Sequence, residues 1–118
     1  MVLSHVLEQG VLVIEVHGEI RVDGGATLLA KISDLIHAYK PTPVVIILDD
    51  SAAGRKVISV VVHAHRMCSS IGVLMSVSSH SAPVRRQLEA SAETDTMHLV
   101  IHARADTAIS SAACAAAV

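Results

Sequence analysis

Pro43-Val-Val-Ile-Ile-Leu48-Asp49-Asp50-Ser51-Ala-Ala-Gly54-Arg55-Lys56-Val-Ile-Ser59-Val-Val-Val-His63-Ala-His-Arg-Met-Cys68-Ser-Ser70 is the stretch on which the fold turns. Val44 to Leu48 is a continuous apolar run, the signature of a strand buried on both faces. Asp49 to Gly54 then supplies the polar and small residues that suit a tight turn out of a sheet. Beyond Gly54 two readings compete. Val57 to Val62 is β-branched but for Ser59, and on propensity alone it is a strand that would form a hairpin with Val44 to Leu48. Against this, Val57, Val61, Ala64 and Cys68 share a helical face, and the run is long for a strand. The shared face favours a helix from Arg55 to Ser70. A strand ending in an acidic-serine-glycine turn that opens a helix suits phosphate chemistry or partner recognition. The helix N-terminus presents unpaired N–H groups and a partial positive charge there.

Working outward, Leu3 to Glu8 has a weak strand pattern and Gln9-Gly10 is a turn. The β-branched run Val11 to Ile20 pairs back on it as a hairpin. Asp23-Gly24-Gly25 breaks the strand, with Asp23 a helix N-cap. Leu28, Ile32, Leu35, Ile36 and Tyr39 then mark an amphipathic helix that Pro41 and Pro43 stop. After Ser70, Gly72 to Val77 reads as a strand, and Ser78 to Pro83 leads into a helix with Pro83 at its first position and Val84 and Leu88 on its buried face. Met97 to His102 is a last strand, and Asp106 caps a final Ala-rich helix. A hairpin followed by alternating helices and strands is an α/β sheet with helical cover.

The chain has 118 residues, enough for one domain with a proper core. It is 52% hydrophobic, yet no run approaches the roughly 18 apolar residues of a membrane span. With Tyr39 the only aromatic, the core is built from Val, Ile, Leu and Ala, and base-stacking platforms for nucleic acid are missing. A net charge of -2 provides no electrostatic footprint for DNA or RNA. Cys68 and Cys114 fit no metal or redox spacing and read as small buried hydrophobes in a reducing cytoplasm. The segment Met1-Val-Leu-Ser-His5 lacks the basic and apolar regions of a signal peptide, so the expected location is cytoplasmic.

Several of these pieces together resemble the STAS family, the fold of anti-sigma factor antagonists and of the C-terminal domain of sulfate transporters. Val11 to Ile20 is similar to the family's opening strand ending in Gly-Glu-Leu, and Val44 to Asp49 to its Val-Val-Ile-Ile-Leu-Asp strand. Ser81-Ala-Pro-Val-Arg-Arg-Gln-Leu88 is close to the family's Ser-Pro-x-Val-Arg-x-x-Leu. The resemblance covers almost the whole chain. It implies a single STAS-like domain over residues 1–118, a mixed sheet opened by a β-hairpin and covered by about four helices, with Arg55 to Ser70 a helix. It also implies a non-catalytic interaction domain that binds an anti-sigma factor, a serine kinase of the histidine-kinase-like ATPase fold. The contact surface would be Asp49, Asp50, Ser51, Gly54, Arg55, Lys56 and Ser59. An accessory subunit of a membrane transporter is the alternative, and a homodimer is compatible with either.

The family's mark is Asp-Ser-Ser/Thr-Gly at the start of that helix, with the serine after Asp phosphorylated. Asp50-Ser51-Ala52-Ala53-Gly54 carries one residue too many between serine and glycine, the preceding loop is short, and Arg55-Lys56 replace small or apolar residues. Arg21 likewise stands where an acidic residue often follows Gly-Glu-Leu. Ser51 is the phosphorylation candidate, in a switch expected to be lost or altered. Its bland alternative is a turn serine that caps the helix. Arg55 and Lys56 stand in a first turn where the dipole disfavours cations; they either pair with Asp49 and Asp50 or meet an acidic partner. The 8 histidines have no ligand spacing, so no metal and no cofactor is expected. No phosphate-cradling loop, G-x-S-x-G or HExxH motif supports an enzyme.

Overall fold

The computed structural model describes residues 2–17, 24–49, 55–94 and 98–116. Strands β1 (Val2–Glu8) and β2 (Val11–His17) form an antiparallel hairpin in unbroken register. Gln9 and Gly10 both take positive φ, 54° and 76°, as the two central residues of a type I′ turn require. Helix α1 (Gly24–Tyr39) leads to β3 (Val44–Leu48), α2 (Arg55–Ser70) to β4 (Met75–Ser79), and α3 (Ala82–Thr94) to β5 (Val100–His102). Helix α4 (Ala105–Ala116) follows. The five strands lie in sequence order, β2 to β5 parallel.

Successive right-handed crossovers of this kind put their helices on one face of a sheet. Side-chain alternation gives that face Leu12, Ile14 and Val16 from β2, Val44, Ile46 and Leu48 from β3, and Met75 and Val77 from β4. They pack against Leu28, Ile32 and Ile36 of α1, Val57, Val61, Ala64 and Cys68 of α2, and Val84 and Leu88 of α3. The opposite face of the sheet, Val11, Val13 and Val45, packs on Ala108 and Ile109 of α4. β2 is therefore apolar at every position from Val11 to Ile14, where it is covered on both sides. The stretch from Arg55 to Ser70 is helix: Val57, Val61, Ala64 and Cys68 are all at most 1% exposed, and their packing outweighs the poor helix propensity of valine.

The structure shifts several sequence expectations. β4 begins at Met75 and not Gly72, because Gly72 (φ 74°) and Val73 close α2. The Val73 N–H reaches back to the Cys68 carbonyl at 2.9 Å in a Schellman-type cap. Pro83 is the second residue of α3, since Ser81 takes the N-cap and its hydroxyl accepts the Val84 N–H at 3.4 Å. β5 is confined to Val100–His102, where pairing with β4 is available. Asp106 is the second residue of α4 and not its N-cap, which is Arg104, whose carbonyl accepts from Ala108; the Asp106 carboxylate still accepts the first-turn Thr107 N–H at 2.9 Å. Cys114 is exposed, unlike the buried Cys68. Gly18 to Ile20, Arg21, Asp23, Asp50 to Gly54 and Met97 lie outside the described residues.

Candidate functional site

β3 delivers Asp49 to the end of the sheet, where its N–H donates to the Val16 carbonyl of β2 at 3.3 Å. Parallel pairing sets His17, the last residue of β2, beside it. The His17 ring stands between two carboxylates, Nδ1 3.1 Å from Asp49 Oδ2 and Nε2 3.1 Å from Glu15 Oε2. A neutral imidazole has one N–H, so only the cationic ring donates to both. All three side chains are about two-fifths exposed, and the cluster is an accessible polar rim at the start of the turn. Sequence reasoning named Asp49 but missed His17 and Glu15. Their meeting depends on the β2–β3 register, although alternation does put Glu15 and His17 on one face.

Of the other proposed contact residues, Asp50, Ser51 and Gly54 lie outside the described residues, and Arg55 is described only as the first residue of α2. Lys56 and Ser59 are exposed on α2. Among the described residues Lys56 makes no ion pair, so pairing with Asp49 is not what holds it. Lys56, Ser59, His63 and Arg66 follow one another at helical spacing along the outer face of α2. Ser59 and His63 line two grooves at once. One, about 370 Å³, runs to Gly25 and Leu29 of α1; the other, about 620 Å³, runs to Gln87 and Ser91 of α3. The helix after the turn thus presents a polar ridge between two shallow channels. His63 and His65, two residues apart, lie on different sides of the helix: His63 is on the ridge and His65 is half-buried on the far side.

His65, His98 and His102 meet around a mostly apolar cleft of about 480 Å³ beside β5, at the opposite end of the strands from Asp49. Burial lowers the His65 pKa, and a hydrogen bond to the His98 backbone opposes this more weakly. Among the described residues no group of three or more His, Cys, Asp or Glu side chains is arranged to hold a metal ion. Among them also, no helix is long and apolar enough to cross a membrane.

No protein-family model and no curated protein matches the chain. Solved structures do. The Bacillus cell fate determinant SpoIIAA in its phosphorylated form superposes with a TM-score of 0.61 at 18% identity, covering 92% of this chain and 97% of that one. On this agreement the fold of the chain is the STAS fold.

Proposed function

We propose that this chain is a non-catalytic, cytoplasmic regulator of the anti-sigma factor antagonist kind. In this reading it binds an anti-sigma factor that is also a serine kinase of the histidine-kinase-like ATPase fold. The contact is made by the turn from Asp49 to Gly54 and the outer ridge of α2, with Asp50, Ser51, Arg55, Lys56 and Ser59 at its centre. The observation that carries the reading is the likeness to phosphorylated SpoIIAA over nearly the whole of both chains. The exposed polar ridge beginning at Lys56 supports it, since it offers a partner an accessible surface from the second residue of α2 onward.

Ser51 is the acceptor if the switch operates, being the only hydroxyl between Asp49 and Gly54. A phosphate there adds about -1.5 to -2 charges to the contact surface, next to two aspartates. The extra alanine and the Arg55-Lys56 pair favour binding without a working switch. The test is incubation with a candidate anti-sigma kinase and ATP, followed by binding measurement and phosphosite mapping. Binding that is unchanged by ATP, with no label on Ser51, is expected. Label on Ser51, with Ser51→Asp weakening binding and Ser51→Ala leaving it intact, restores the switch. Loss of the interaction reading altogether would follow if Lys56→Glu and Ser59→Glu bound every such kinase as well as the unaltered chain does.

A further inference from the structure

The sheet has two edges, β1 and β5, and they differ in kind. β5 is 3 residues long and offers little to a second strand. β1 has 7 residues, all paired to β2 without a bulge. It contains no Lys and no Pro, and its one acidic residue, Glu8, stands at its end. Among the described residues none of the usual devices that keep exposed edges apart is present. Val6 and Leu7 are 50% and 52% exposed, and alternation puts them on opposite faces of the strand.

The hairpin decides which groups of this edge are available. A two-residue turn at Gln9-Gly10 makes Glu8 and Val11 a hydrogen-bonded closing pair. Hydrogen bonding alternates along an antiparallel pair, so Ser4, Val6 and Glu8 turn their main-chain groups to β2. Leu3, His5 and Leu7 turn theirs outward. The outward set is symmetric about His5, and Leu3-Ser4-His5-Val6-Leu7 has the same pattern in both directions: leucine, small residue, histidine, small residue, leucine.

We propose that β1 of two copies of this chain pair antiparallel about a two-fold axis at His5, joining their sheets into one. That register sets Leu3 against Leu7 of the second copy and His5 against its own counterpart. All the outward N–H and C=O groups of Leu3, His5 and Leu7 then find partners. Glu8 falls opposite Val2, so no carboxylates meet. An isologous interface requires a self-complementary patch, and a palindromic strand is one. Another extended segment could satisfy the main chain, but the leucine spacing matches a second copy. On the face covered by α1 to α3, the His5 ring lies 6.0 Å from that of Tyr39, tilted by 57°, and the pairing brings two such ring pairs together. On the other face α4 packs on β2 to β5, and Val6 of each copy lies diagonally across the junction, within reach of the other. The proposal stands apart from the partner reading of the Asp49 turn.

Sedimentation velocity of the full chain from micromolar to millimolar concentration tests the association. The mass should rise towards twice that of one chain, and Leu7→Lys, at an exposed position, should abolish the rise while leaving the circular dichroism unchanged. Cysteine pairing tests the register in a Cys114→Ser background. Hydrogen-bonded antiparallel partners have Cα atoms about 5.5 Å apart, within the roughly 4.4–6.8 Å span of a disulfide. His5→Cys should therefore give a covalent dimer on mild oxidation. Ser4→Cys should not, since Ser4 faces Val6 of the second copy. A chain that stays monomeric throughout, a dimer that survives Leu7→Lys, or Ser4→Cys cross-linking as well as His5→Cys would overturn the proposal.

Discussion

Replacing Val61 by alanine sets two forces on α2 against each other. Val61 is 1% exposed and belongs to the cluster that joins α2 to the sheet. The change removes two methyl groups from that cluster, a transfer loss of about 0.8 kcal/mol for each. A residual cavity adds about 24 cal/mol per Å³, on the order of 1 kcal/mol if the site collapses partially. Alanine is the better helix former by about 0.5 kcal/mol, because it loses no χ1 freedom against the preceding turn. The net expectation is a destabilisation of about 2 kcal/mol. Urea unfolding followed by circular dichroism reads it as a midpoint lowered by about 1–2 M at unchanged m. Ser59→Ala, at an exposed position of the same helix, isolates the propensity part and should stabilise by a few tenths of a kcal/mol. A Val61→Ala protein as stable as the original would refute the reasoning. So would a larger loss at Ser59 than at Val61, since either places packing elsewhere than on this face.

Burial holds the His65 imidazole below its usual 6.5, so the folded chain favours the neutral ring. Above pH 6.5 both folded and unfolded chains are neutral there; below it the unfolded chain takes up the proton first, and stability falls as pH falls. His65→Gln should make the loss of stability between about pH 7 and pH 5 shallower, and an equal or steeper loss contradicts the assignment. Burial likewise pushes the Cys68 thiol up to about 11, while Cys114 is exposed. Iodoacetamide at about pH 8 should label Cys114 alone, with Cys68 reacting only in denaturant; peptide mapping distinguishes them. Gly10 has φ 76° with nothing near the position of an added Cβ. Gly10→Ala should therefore cost only the left-handed backbone penalty, about 1–2 kcal/mol, seen as a melting temperature lowered by several degrees. A loss well beyond that would mean that the hairpin register itself had slipped.

Local pattern was enough to place most elements. Val44 to Leu48 could be read as a strand because a doubly covered strand is apolar at every position. The α1 span followed from Leu28, Ile32 and Ile36, and the Gln9-Gly10 turn from its residue types. The span of α2 was legible from Val57, Val61, Ala64 and Cys68, although its composition argued for a strand. At the candidate site the sequence supplied Asp49 and the polar turn after it. What it could not supply were contacts between elements. His17 reaches Asp49 only because β2 and β3 pair in parallel with Val16 opposite Leu48. The extent of β4 was misread because Gly72 and Val73 serve a cap whose partner is a carbonyl on α2. Cys114 and Cys68 look alike in the chain, and only the packing of α2 against the sheet buries one and leaves the other exposed. Side-chain periodicity is a property of neighbours along the chain and is written in the sequence. Which distant groups meet, and which strand edge is left open, is settled by register and layer order, where the free energy belongs to pairs of elements and not to either one.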